Sequence, residues 1–316
     1  MFSIHTFNQA GFEIIVLTDD KTGTQVEIIP AHGALLHAFR IPHNAGLLNI
    51  IDSYSSLQDY QTNQPEYFKS AKLSPFACRI PMGKYLLGEQ EYTISKTVSP
   101  GSAIHGLLYD VAFTVTGQHA DKNGAVLTLS YEYKGKDAGY PFPYNCEVQY
   151  SLHPGSQVSI HTIISNLSGK EIPLMDGWHP YFSTGTAVDE LELQFASTQI
   201  VEFNAQLVPT GKVLPFNKFA SLTSLSDQFL DNSFMLDFTQ QAPLCLLRDP
   251  HKQVDITFYP GTCYPILQIY IPPHRNSIAI ENLTGAPNAF NNGMGLITLP
   301  AGESREFSTA IIATAW

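Results

Sequence analysis

The chain has 316 residues, 44% of them hydrophobic and 14% charged, with a formal net charge of −11. An acidic chain without a dense Lys/Arg run lacks the electrostatic footprint of a nucleic-acid binder, and it counts against a polyanionic substrate. No apolar run reaches the length of a membrane span and no basic-then-apolar leader opens the chain, so a cytoplasmic protein without a membrane partner is expected.

The charged fraction is low against the usual quarter or so of a globular chain. Polar work therefore falls to Ser, Thr, Asn, Gln and Tyr, which suits a surface that handles neutral hydroxylated ligands. The four cysteines, Cys78, Cys146, Cys245 and Cys263, form no CxxC pair and read as reduced, packed thiols. Asn166-Leu167-Ser168 and Asn282-Leu283-Thr284 match the glycosylation sequon, but a chain that stays in the cytoplasm never uses it.

In chain order, short runs rich in β-branched and aromatic residues recur between turn clusters. Residues 12–17 and 24–29 are two such runs, separated by Asp19-Asp20-Lys21-Thr22-Gly23, and 47–51 is a third. Residues 52–67 have room for one short helix. Asn123-Gly124 is a hairpin turn signal opening the strand 125–133. Residues 146–152 and 158–164 read as a ribbon with one apolar face. Further strands are expected at 190–195, 200–203, 234–238, 244–247, 254–258, 266–271 and 305–312. Period-2 alternation dominates and no long 3.6-residue period appears. The expected fold is all-β, built of packed antiparallel sheets. No linker or composition shift divides it, so one domain spanning 1–316 is expected.

Four stretches carry groups that could do chemistry. In Ser277–Gly293 an apolar run ends in Glu281, followed by a Pro/Asn/Gly-rich turn. Alternation puts Ile278 and Ile280 on one face and Glu281 on the other. That is a place for a base, or for a solvated strand-end carboxylate. His105 precedes Gly106, which allows close backbone approach; a surface turn histidine is the other reading. His179 is held extended by Pro180 among Trp178, Tyr181 and Phe182, either as a titratable group beside sugar-stacking rings or as a histidine trapped in an aromatic core. Arg79 is the lone cation of an apolar run, so it faces a polar pocket or a structural ion pair.

His32, His37 and His43 lack metal-ligand spacing, and no GxSxG elbow, phosphate loop or dinucleotide fingerprint is present. No metal and no cofactor is therefore expected, which leaves acid–base chemistry.

These residues resemble the aldose 1-epimerase (galactose mutarotase-like) family, in that family's order and over most of the chain. Arg79-Ile80 with Gly83-Lys84-Tyr85, Ile104-His105-Gly106, Trp178-His179-Pro180-Tyr181-Phe182, Leu230-Asp231-Asn232-Ser233-Phe234 and Glu281-Asn282 with Pro287–Asn291 carry the resemblance. It implies a large antiparallel β-sandwich, no cofactor and a small-molecule sugar substrate. It further implies that Glu281 is the base at the anomeric hydroxyl and His179 the acid at the ring oxygen. His105 would assist there, while Arg79 and Asp231 hold hydroxyls. Cys78, Leu107, Ser183 and Asn288 depart from the usual family residues, so the hydroxyl-binding periphery has changed and the sugar stays open. A hexose-6-phosphate 1-epimerase is one alternative, drawing on Arg79, Arg275, Lys72 and Lys84 for its phosphate. A non-catalytic carbohydrate-binding module is the other, although binding alone requires no acid and base pair.

Overall fold

A computed structural model describes residues 1–98 and 101–316. The chain is 51% strand and 6% helix, which makes it all-β as expected. Two nine-stranded sheets and a five-stranded N-terminal sheet carry most of it. Among the described residues every pairing between named strands is antiparallel; hairpins join some neighbours, and others are far apart in the chain.

The first large sheet shows the alternation that was legible in the sequence. Gln157–Asn166 buries every second residue, and it pairs on one side with Tyr144–His153 and on the other with Ser304–Ala315. The expected ribbon is thus the middle of a sheet and not an isolated hairpin. The Asn123-Gly124 turn closes the hairpin between Thr114–Ala120 and Ala125–Tyr133. There Asp121 accepts hydrogen bonds from the backbone N–H groups of Asn123 (2.7 Å) and Gly124 (3.2 Å).

The second large sheet runs through Asp231–Met235, Ile266–Tyr270, Ile278–Leu283, Gly177–His179 and Ala71–Leu73. Its inner residues Phe234, Ile269 and Ile280 share one hydrophobic cluster with Val148, Ile160 and Phe258 of the first sheet. Phe195 meets Phe234 at a ring separation of 4.6 Å, and Phe182 meets Phe258 edge-on at 5.0 Å, so aromatic pairs bolt the two layers together. Burying each such side chain stabilises the fold by about 1.5–3 kcal/mol.

Three expectations need correction. The strand expected at 234–238 is Asp231–Met235, which places Asp231 on the sheet. Residues 47–51 divide into Gly46–Asn49 and Ile51–Asp52 because Asn49 Oδ1 takes the N–H groups of Phe39 and Ile51 and breaks the ladder at Ile50. The strand carrying Glu281 runs on to Leu283, with all six of its residues buried. Glu281 therefore lies inside a strand covered on both faces. The short helix is present as Leu57–Tyr67, with Ser56 Oγ accepting from the Asp59 N–H at its start. All four cysteines are free thiols, and both sequon asparagines are buried.

Candidate active site

Antiparallel pairing builds the site from the middle of the second sheet. Glu281 lies opposite Gln268 in register, Asp231 opposite Tyr270, and His179 opposite Ala71. These neighbouring strands send their side chains into one cavity of about 330 Å³. Arg79 and His105 reach it from a separate two-stranded ribbon in which Arg79 pairs with Ile104. All five residues singled out in the sequence line the same pocket.

His105 has a left-handed backbone, φ 61°, and its N–H donates to the Cys78 carbonyl at 2.9 Å. Gly106 follows at φ 84°, and a Cβ there would lie 2.2 Å from the Ser74 carbonyl oxygen. Only glycine fits that approach, and it closes the turn that follows His105, whose ring lines the pocket. The ring packs on Phe68 at 4.8 Å and meets the His179 ring edge-on at 4.8 Å. His179 stacks on Tyr181 at 4.9 Å and 17°, and its carbonyl accepts from the Ser70 N–H, so strand and ring are both fixed.

His179 Nε2 stands 3.4 Å from Glu281 Oε1. Glu281 is 1% exposed and His179 4%, so neither is solvated by bulk water. Among the described residues Glu281 Oε2, His179 Nδ1 and His105 Nδ1 are buried without a hydrogen-bond partner. Unpaired buried polar atoms are costly, and a protein keeps them where a ligand completes the set. Burial pushes the Glu281 carboxyl well above the usual carboxylate range, and the Asp231 charge adds to this. Burial lowers His179 to about 4 and holds His105 well below the ordinary histidine value, with His179 and Arg79 contributing to the His105 shift.

Asp231 Oδ1 accepts from Gln268 Nε2 at 3.0 Å, while Gln268 Oε1 accepts from Ser233 Oγ at 2.5 Å. Burial raises Asp231 above its ordinary value, and Arg79 and Gln268 partly oppose that. Gln268 was missed in the sequence. Its one signal is the lone amide inside Ile266-Leu267-Gln268-Ile269-Tyr270, the same kind of interruption that marked Arg79. The Arg79 guanidinium lines the pocket and, among the described residues, takes no ion-pair partner, so the structural-pair reading fails. Tyr67, Phe203 and Tyr270 supply aromatic wall.

The remaining cations proposed for a phosphate do not reach the pocket. Lys72 is buried against Asp176 at 2.6 Å, Lys84 is exposed beside Glu91, and Arg275 pairs with Asp189. Glu66, Asp231 and Glu281 line the pocket together with Arg79.

The family model for aldose 1-epimerases matches residues 13–311. The protein YihR of Escherichia coli K12, described as uncharacterized, is 25% identical over 281 residues, covering 84% of this chain and 87% of the relative. A galactose mutarotase-like protein of Clostridium acetobutylicum superposes with a TM-score of 0.85 at 17% identity, covering 100% of this chain and 99% of the other. Galactose 1-epimerase of Lactobacillus acidophilus gives a TM-score of 0.80 at 18% identity, covering 99% and 98%. The chain belongs to the aldose 1-epimerase family.

Proposed function

We propose that this protein is a mutarotase that interconverts the α and β anomers of a free, uncharged aldose. The observation that carries the reading is the buried His179–Glu281 contact at 3.4 Å, with unpaired polar atoms on both residues. Anomer exchange needs one group to accept a proton while another donates, and then needs the roles to reverse.

The pair holds one proton between its two members. In the opening step the Glu281 carboxylate takes the proton of the anomeric hydroxyl, and its O–H electrons form the C1–O1 double bond. The C1–O5 bond breaks, and His179 imidazolium gives its proton to O5. The open aldehyde rotates about C1–C2. Neutral His179 then takes the proton back from O5 as O5 attacks C1, and Glu281 returns a proton to O1. Burial favours the uncharged distribution, with the proton on Glu281, which is the state after opening. Hydroxyls of a bound sugar solvate the charged distribution in place of water. Each positioned proton transfer accounts for roughly 10²–10⁴ in rate.

His105 stands beside His179 to bond O5 or a neighbouring hydroxyl. Arg79 and the Gln268-oriented Asp231 hold hydroxyls farther round the ring, and the aromatic wall stacks on its C–H faces. The lining of three carboxylates to one guanidinium supports a neutral sugar over a phosphosugar. Following freshly dissolved α-glucose, α-galactose and other aldoses by NMR tests the reading. Faster equilibration with wild type that disappears in Glu281→Gln is expected. A folded wild-type protein that accelerates no free aldose would overturn it.

A further inference from the structure

We propose that His105, His179 and Glu281 also form a binding site for a divalent d-block ion of the zinc type, and that the bound ion blocks the pocket's acid–base pair. The three side chains offer donor atoms that all lie within 4.8 Å of one another. In a tetrahedral zinc site, metal–nitrogen bonds of about 2.0–2.1 Å and metal–oxygen bonds of about 2.0–2.2 Å put neighbouring donors roughly 3.3–3.5 Å apart. His179 Nε2 and Glu281 Oε1 already stand at 3.4 Å. Among the described residues, Glu281 Oε2 and one ring nitrogen of each histidine are buried without a partner, so these side chains are not tied up in a protein network that an ion would have to break.

Donor chemistry selects the ion. Two imidazoles and one carboxylate suit zinc, cobalt or copper, whereas calcium and magnesium demand shells of oxygen. Burial also disfavours the imidazolium form of both rings, leaving lone pairs for a metal. All three side chains line the cavity that the sugar would fill, from which a fourth ligand would come. Dedicated sites brace each histidine with a further carboxylate or carbonyl. Among the described residues His105 Nδ1 and His179 Nδ1 have no such partner, so the site takes up and releases its ion readily. An ion seated there occupies the electron pairs that the proton cycle uses, which makes it an inhibitor.

The site is a matter of geometry and stands whether or not the protein turns over sugars. Cobalt(II) titrated into chelator-treated protein gives the direct readout, through the visible absorption of low-coordinate cobalt. One equivalent is expected to bind, to be displaced by zinc(II), and to be lost in His105→Ala and in Glu281→Gln, with circular dichroism confirming that both variants fold. The band is expected to persist when His119, His161 and His251, which stand beside carboxylates at the surface, are replaced together by Ala. Zinc(II) at the same concentration is expected to stop anomer exchange, with EDTA restoring it. Absence of the band in wild type, or its loss only with the surface histidines, would sink the site. A pocket-dependent band without loss of exchange in an active enzyme would sink the inhibition.

Discussion

Lys72 Nζ lies 2.6 Å from Asp176 Oδ1, with both residues buried behind the strands that carry His179 and Glu281. Asp176 is three residues before His179, and it exchanges two hydrogen bonds with Thr284, three residues after Glu281: its N–H donates to Thr284 Oγ1, and the Thr284 N–H donates to its carbonyl, each at 3.0 Å. Tyr264 Oη donates to Asp176 Oδ2 at 2.6 Å, and Lys72 Nζ donates to the Gly177 carbonyl at 3.1 Å. The two strands are thus joined through the Asp176 backbone, while its carboxylate holds Lys72 and Tyr264. Removing one partner leaves an uncompensated ion, so Lys72→Met is expected to cost about 3–5 kcal/mol in urea unfolding. The triple variant Lys72→Met/Asp176→Leu/Tyr264→Phe removes the charges together and is expected to recover most of that. Anomer exchange is expected to recover with stability in the triple variant, because the two Asp176–Thr284 hydrogen bonds use the Asp176 backbone and survive the change of side chain; exchange that stays slow in the stable triple variant would show that the buried ion pair sets the spacing of the strands.

Glu281→Gln is expected to lower the exchange rate by roughly 10²–10⁴ while raising stability at alkaline pH. The carboxyl is raised on folding from an ordinary value of 4.5. Between 4.5 and the raised value the native state keeps a proton that the unfolded chain has lost, so wild-type stability falls as pH rises, by up to about 1.4 kcal/mol per unit. Glutamine has no such slope. The stability difference between variant and wild type should therefore widen from pH 5 to pH 8 in urea unfolding. A constant difference would mean that Glu281 is not desolvated.

Folding lowers His179 from 6.5 to about 4, so native imidazole stays neutral where an exposed one would charge. The doubly protonated pair, which cannot accept a proton, then forms only near pH 4. The acid limb of kcat/KM is expected there and not near 6.5, read from initial NMR exchange rates across pH. This fold-side shift also means that His179 contributes a stability loss as pH falls from 6.5 toward 4, opposite in sign to the Glu281 effect. A limb centred at 6.5 would assign an exposed histidine to the reaction.

Arg79→Met is expected to leave the unfolding midpoint close to wild type, since the guanidinium takes no ion-pair partner among the described residues. Its loss should raise KM for the preferred aldose by roughly ten-fold or more, the worth of a charge-assisted hydrogen bond of about 1.5–3 kcal/mol. Lysine should rescue poorly, because a point charge does not reproduce the planar fork. A large drop in stability with unchanged KM would return Arg79 to a structural role.

Gly106→Ala is expected to destabilise by more than about 1 kcal/mol, through both the positive φ and the Ser74 carbonyl in the way of the new Cβ. Exchange should fall beyond what the unfolded fraction explains, because His105 shares that turn. Calorimetry and rates on the same sample separate the two effects.

Much of this was legible in the sequence. Period-2 alternation located the strands from Ala125 to Asn166, since each has one face on the core. It misjudged Glu281, because a strand covered on both faces loses its alternation and looks as if it stops at the first charge. Asp231 fell outside the strand expected at 234–238 for a similar reason: polar Asp231-Asn232-Ser233 shows no apolar alternation, and its strand is set by pairing with Ile266–Tyr270. Gln268 carried no motif, and its part in orienting Asp231 exists only across that pairing. His105, His179 and Glu281 are remote in the chain, and spacing rules for metal ligands see only local neighbours.

The depth at which Glu281 and His179 are sealed bears on how protons are supplied. In the proposed cycle the proton taken from O1 is matched by one given to O5, and reclosure reverses both transfers. No proton has to arrive from or leave to bulk water in a turnover. Such a site needs no water-filled conduit, and its chemical step should be indifferent to buffer concentration. An enzyme that closes its own proton circuit can keep its reacting pair dry.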